Sequence, residues 1–264
     1  MSVRIGAVSY LNTKPLIYGL RQLLPNCQLR LDLPSRLADE LTLGRLDVAL
    51  IPSVEFLRGS KFSIVSDACI ACRGPVRSVR LLFRKPLNQI QTLALDEGSR
   101  TSAVLAQLLL ARRLGLRPKL EQLRIDSSLD AVSADALVVI GDRAMKIDRS
   151  QYVENWDLGE EWLRETGLPF VFAMWVAERD DLSPEVIAAL QTARDAGVQH
   201  AIEIAAAEAI RYGITPEDCI KYFLEQLHFT LGPRELQGLD LFRQWAIELE
   251  LLPQNCQQLS LETT

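Results

Sequence analysis

Short apolar runs alternate with helix-patterned stretches along this chain, and the alternation is laid down twice. That order of elements specifies an α/β fold with a mainly parallel sheet, and it rules against a β-sandwich or a helical bundle. Val3 to Val8, Leu29 to Leu33 and Asp47 to Ile51 read as the first strands. Asn12 to Leu24 reads as a helix with Pro15 in its first turn, where a missing N–H has no helical partner to lose. Pro34-Ser35 leads into a helix over Arg36 to Leu43 that Gly44 stops, and Pro52-Ser53 opens a short helix carrying Val54, Glu55 and Phe56. Ile64 to Ala71 and Val79 to Arg84 are strands on either side of the turn Arg73-Gly74-Pro75.

After Pro86 the same syntax restarts with a strand over Thr92 to Leu95, a helix over Ser99 to Leu114 ended by Gly115, and a strand over Ala136 to Ile140. Phe170 to Ala177 is a further strand. From Ser183 onward the chain reads as nearly all helix, with starts at Ser183-Pro184-Glu185 and Thr215-Pro216-Glu217-Asp218. Two α/β units and a helical tail imply two lobes joined by extended crossings. Residues 1–85 with 176–264 form one lobe and 86–175 the other, and 264 residues suffice to give each a core.

Charge narrows the partners. Against 34 acidic residues stand 29 basic ones, a net −5, with neither sign gathered into a block, which argues against nucleic acid and against a charged membrane surface. The start MSVRIGAVSYLNTKPL has no export-signal pattern, and no run is long and apolar enough to span a bilayer, so a cytoplasmic location is expected. Five scattered cysteines do not suit a disulfide framework. Cys69 and Cys72 form a C-x-x-C with no second ligand pair nearby, so they read as small residues in or beside a buried strand, and no metal is expected. The apolar stretch 186–209 suits either a homodimer face or a cover for the sheet.

In open α/β sheets ligands sit beyond the carboxyl ends of the strands, so the strand-to-helix loops should carry the chemistry. Four loops stand there: Ser9-Tyr10-Leu11-Asn12-Thr13-Lys14, Pro52-Ser53, Asp96 to Ser102, and Gly141-Asp142-Arg143-Ala144. Three are rich in hydroxyl or amide groups directly before a helix, where free N–H groups and the helix dipole favour an anion by about 0.3–2 kcal/mol each. Taken one at a time, Ser35, Ser53, Ser99 and Thr101 read as ordinary N-caps, and Asp142 as a cap or as an orienter of a closing lobe. Ser78 reads as a polar residue at a strand entry, and the segment Trp156 to Trp162 as a cleft wall or a helix packed on its lobe. The only histidines, His200 and His228, lie in the tail, which removes a histidine base or a Ser-His-Asp triad. Phosphate-loop, dinucleotide and zinc-helix motifs do not occur. The residues alone therefore describe a cofactor-free, two-lobed binder of a small organic anion.

The opening VSYLNTKPL, followed in order by RLDVALIPSVEF, GPVRSVRLLF, LALDEGSRTSAVLAQLLL, ALVVIGDRAM and DLGEEWLRETGLPFVFAMW, resembles the chorismate dehydratase family of the futalosine route to menaquinone. The likeness runs from about residue 3 to about residue 250, and only Pro253 to Thr264 lie outside it. It implies a two-lobed fold like the type 2 periplasmic solute-binding proteins, with a helical C-terminal region, used inside the cell as a hydro-lyase. The implied reaction removes water from chorismate to give 3-[(1-carboxyvinyl)oxy]benzoate. Carried across by motif, Asn12 and Ser78 are the polar pair nearest the reacting ring, and Ser53, Ser99, Thr101 and Ser102 anchor the carboxylates. Ser9, Tyr10, Arg100, Gly141 and Asp142 complete the candidate binding set.

With no histidine in reach, the substrate's own enolpyruvyl carboxylate is the expected base. Ser78 and Asn12 would hold the conformer that permits it, a proximity effect worth about 7–11 kcal/mol. Glu97 and Asp142 stand as alternative bases. Two rival readings are a 1,4-dihydroxy-6-naphthoate synthase-like enzyme, which a histidine at the cleft would suit better, and a non-catalytic small-anion binding protein. A secreted binder would need an export signal and a sensor a DNA-binding domain.

Overall fold

A strand that is apolar on both faces needs cover from both sides, and this demand organises the molecule. The computed structural model describes residues 2–59, 61–178, 182–257 and 259; the expected end of the first lobe, 260–264, lies outside them. The strands are β1 Arg4–Val8, β2 Gln28–Asp32, β3 Val48–Pro52, β4 Ser63–Cys72, β5 Val79–Phe83, β6 Thr92–Asp96, β7 Lys119–Leu123, β8 Ala136–Ile140, β9 Glu154–Asp157, β10 Phe170–Ala177 and β11 His228–Thr230. The α-helices are α1 Leu20–Leu23, α2 Pro34–Thr42, α3 Ser53–Arg58, α4 Thr101–Leu114, α5 Gly141–Met145, α6 Leu158–Thr166, α7 Pro184–Gln199, α8 Ala201–Glu208, α9 Pro216–Lys221 and α10 Pro233–Glu248. β3, β8 and β10 are buried at every position.

Two sheets result, ordered β11-β4-β10-β3-β1-β2 and β7-β6-β8-β5-β9. The change from one to the other falls between Cys72 and Val79 on the way out and between Asp157 and Phe170 on the way back, ahead of the expected lobe boundaries at 85 and 175. Each sheet is mixed rather than mainly parallel. β1 pairs in parallel with β2 and β3, and β6 with β7 and β8, while β10 runs antiparallel to β3 and β4, and β5 to β8 and β9. β5 and β10 are the strands by which the chain passes between units, and they enter each sheet against its βαβ direction; β11, also antiparallel, adds the tail to the edge of the first sheet.

Residues 12–24 do not form one helix. They make 3₁₀ turns at Leu11–Thr13 and Pro15–Ile17 and then the short α1, because Pro15 supplies no N–H and Gly19 adopts φ +67°. β7 and β9 escape a reading by apolar runs because they are polar and sit on sheet edges, where one side needs no apolar cover. A single large core joins the inner faces of both sheets, and a smaller cluster around Leu82, Leu123 and Leu137 fills the far side of the second.

Candidate active site

The loops after β1, β3, β6 and β8 meet where the two sheets face each other. They enclose a cavity lined by Tyr10, Asn12, Ser78, Ser99, Arg100, Thr101, Ser102 and Gly141, with Val8, Ile70, Val76 and Phe172 as its apolar wall. Ser9, Ser53 and Asp142 do not line it; they stand one layer behind. The cavity is about 50 Å³. The two halves touch around it, through side chains bonded from one to the other.

Bonds across the gap hold the closure. Thr101 Oγ1 accepts from Val54 N at 3.2 Å and lies 3.3 Å from Ser53 Oγ, which itself donates to Val171 O at 2.7 Å. Arg100 reaches Glu55 at 3.1 Å and both carboxylate oxygens of Asp39 at 2.8 Å. The Tyr10 ring lies against Gly98 and Gly141: a Cβ would come within 2.9 Å of Tyr10 Oη at the first and 2.8 Å of the ring at the second. Gly141, which also adopts φ +67°, needs to be glycine for the ring to lie there.

The capping expectation fails for Ser35, Ser53 and Thr101, because each lies inside its helix rather than at the cap position, and the residues that do occupy the caps, Leu33, Pro52 and Arg100, make no side-chain cap bond. Ser99 precedes the α4 cap and lines the cavity instead.

Buried Asp96 joins two of the loops. Its carboxylate accepts from Gly98 N at 3.1 Å and Ile140 N at 3.2 Å, and pairs with Arg143 at 2.6 Å. Ser78 is held from both sides. Arg77 adopts φ +63°, and Ser78 N closes a tight bond to Val76 O at 2.7 Å around it, a turn uncommon and strained for a non-glycine residue. Asp157 holds that turn by accepting from Val76 N at 2.9 Å and Arg77 N at 2.7 Å, while also capping α6. The segment 156–162 is therefore a strand end and helix that brace the Ser78 turn, not a cleft wall. On its other side the Tyr222 hydroxyl donates to Ser78 Oγ at 2.7 Å. Tyr222 was not legible as a site residue, because nothing local marks one tyrosine in a helical tail.

Asp142 is an orienter rather than a cap. Its Oδ1 accepts from Leu11 N at 3.0 Å, from the opposite half, and so pins the turn that carries Asn12. Burial pushes this carboxyl up to about 6, opposed by the Leu11 bond and by Lys146 and Lys14. A carboxyl raised on folding holds a proton that the unfolded chain has lost, so its contribution is full below the ordinary value near 3.8 and is lost as pH rises through about 6. The Tm of Asp142→Asn, measured against the parent from pH 4 to 7, should therefore shift in the variant's favour as pH rises; a difference independent of pH would contradict this account of Asp142.

Several sequence candidates lie elsewhere. Glu97 faces Arg36 at 3.7 Å, and neither it nor Asp142 lines the cavity. His200 follows α7 and His228 lies in β11, and neither lines it. Cys69 and Cys72 are buried in β4, where burial pushes the Cys72 thiol up to about 12 and Cys69 higher. Among the described residues no group of side chains has metal-binding geometry, and no helix is long and apolar enough to cross a membrane.

The menaquinone biosynthesis family profile matches residues 3–248. The chain is 31% identical to a chorismate dehydratase of Thermus thermophilus over 94% of its own length and 96% of the relative's. In three dimensions it is similar to a protein of Archaeoglobus fulgidus, with a TM-score of 0.76, 16% identity and coverage of 95% of this chain and 98% of the other. It is also similar to a Candida albicans protein described as having the generic periplasmic binding protein fold, with a TM-score of 0.71, 13% identity and coverage of 97% and 92%. These likenesses agree with a two-lobed α/β fold of that type.

Proposed function

Since this chain belongs to the menaquinone biosynthesis family, we propose that it is an enzyme, a hydro-lyase that removes water from chorismate to give 3-[(1-carboxyvinyl)oxy]benzoate in the cytoplasm. The observation that carries the proposal is a juxtaposition: Asn12, Ser78 and the hydroxyls of Ser99, Thr101 and Ser102 line one cavity between the two sheets. Chorismate is a ring with two carboxylates and a hydroxyl. Its carboxylates suit the opening turn of α4, where the helix dipole and the Ser99, Thr101 and Ser102 hydroxyls concentrate donors. Ser53 acts from behind, through Thr101.

In this reading the C–H electron pair beside the ether oxygen becomes the new ring double bond. The neighbouring C–O bond breaks with its pair, and the proton ends on the departing oxygen as water. Aromatisation drives the step. The substrate's enolpyruvyl carboxylate takes the proton, in keeping with the absence of any histidine, Glu97 or Asp142 from the lining, and Asn12 and Ser78 fix the conformer.

Arg100, held by Asp39 and Glu55, acts as a latch between the halves rather than as a carboxylate ligand. The closed cavity then excludes water once the ligand is in.

Purified, metal-stripped protein incubated with chorismate should yield a product lighter by one water, without any added cofactor. Chorismate recovered unchanged from folded protein would refute the reading, and binding without turnover would favour a small-anion binding protein.

A further inference from the structure

The Ser78 hydroxyl has one proton and must aim it, and the structure shows what decides the aim. Tyr222 and Ser78 are each 1% exposed, and Tyr222 Oη stands 2.7 Å from Ser78 Oγ. The tyrosine opens a π-helical turn, Tyr222–Gln226, that directly continues α9. Tyr222 and its neighbour Phe223 are both buried in that turn. A phenol is the more acidic of the two hydroxyls and therefore donates, so the Ser78 proton is left for the cavity that Ser78 lines. Burial pushes the Tyr222 phenol well above its ordinary range, and it stays a donor at any working pH.

We propose that Tyr222 is the positioning residue of the site: by donating to Ser78 Oγ it fixes the serine hydroxyl as a donor aimed at the substrate oxygen that leaves as water. This deepens the reading given above and rests on it. No proton is transferred along the chain. Tyr222 and Ser78 lend hydrogen bonds, the departing oxygen takes the proton that came from carbon, and the balance of the elimination is unchanged. The chain is cooperative, since a hydroxyl that accepts a bond donates a stronger one.

Tyr222→Phe removes one oxygen and leaves the ring. It should lower kcat for chorismate by about 10- to 100-fold, with KM nearly unchanged. A packing defect alone would not give the second signature: in a Ser78→Ala background the same substitution should change kcat by less than about twofold, because the link it breaks is already gone. Near-parental kcat in Tyr222→Phe, or an undiminished effect in the Ser78→Ala background, overturns the assignment.

Should the Phe variant fail to fold, carbon-13 labelling at the tyrosine ζ position reads the same bond. The Tyr222 signal must move between the parent and Ser78→Ala, and an unmoved signal overturns the assignment too. An active parent with an unaffected Tyr222→Phe sinks this inference alone. A folded parent that does not dehydrate chorismate sinks the reading of the reaction, and this inference with it.

Discussion

Ser78→Ala is expected to lower kcat for chorismate by about 100- to 1000-fold, the usual effect of removing one pre-aimed donor from a closed site. The side chain is small and its loss makes little cavity, so the main structural cost is a Tyr222 hydroxyl left buried without its acceptor. That costs about 1–3 kcal/mol of stability. Against a total of about 5–15 kcal/mol, the variant is still overwhelmingly folded at 25 °C. The fall in kcat therefore cannot be an unfolded fraction in disguise. Asn12→Ala should behave alike, because Asn12 lines the same cavity and its turn is pinned across the gap by Asp142. Steady-state kinetics beside a thermal melt separates the two effects. A kcat within about threefold of the parent in both folded variants would remove these residues from the reaction.

Gly197→Ala should be the most damaging single-methyl change outside the cavity. Gly197 lies in α7 where that helix crosses the 3₁₀ turn Pro15–Ile17, and a Cβ there would stand 1.9 Å from the Pro15 carbonyl oxygen and 2.5 Å from its carbon. Alanine gains about 1 kcal/mol over glycine from helix propensity. The clash is with backbone, which cannot rotate away, so α7 or the turn must move, at about 3 kcal/mol, the upper end of the usual overpacking cost. The clash wins. A net loss of about 2 kcal/mol corresponds to a Tm lower by about 4–8 °C for a chain of this size. The displaced turn begins three residues after Asn12, so kcat should fall as well. Gln199→Ala, at the exposed end of the same helix, should leave Tm within about 1–2 °C. A Gly197→Ala protein as stable as its parent would show that α7 is not seated on that turn.

Much of this architecture was readable in the chain itself. The strands buried at every position, β3, β8 and β10, announce themselves as unbroken apolar runs, and Gly115 closes α4 in the left-handed conformation that glycine tolerates. The loops carrying Tyr10, Asn12, Ser99 to Ser102 and Gly141 were legible because each follows such a strand. Other features left no local trace. The segment 12–24 has helical spacing, yet it breaks at Pro15 and Gly19 to seat itself under α7. β7 and β9 are polar edge strands with no apolar run to detect. Asp142 and Leu11 lie 131 residues apart, and Tyr222 and Ser78 lie 144 apart.

By itself, then, the sequence determined the order of strands and helices, the loops that could meet a ligand, and the motifs that mark the family. These are set by periodicity and by conformational preferences of residues a few positions apart. Only the tertiary structure decided that Thr101 meets Ser53, that Arg100 is engaged by carboxylates of the opposite half, and that a tail tyrosine aims Ser78. Such contacts arise when two sheets close on a shared core, and packing between distant segments imposes no period on either of them.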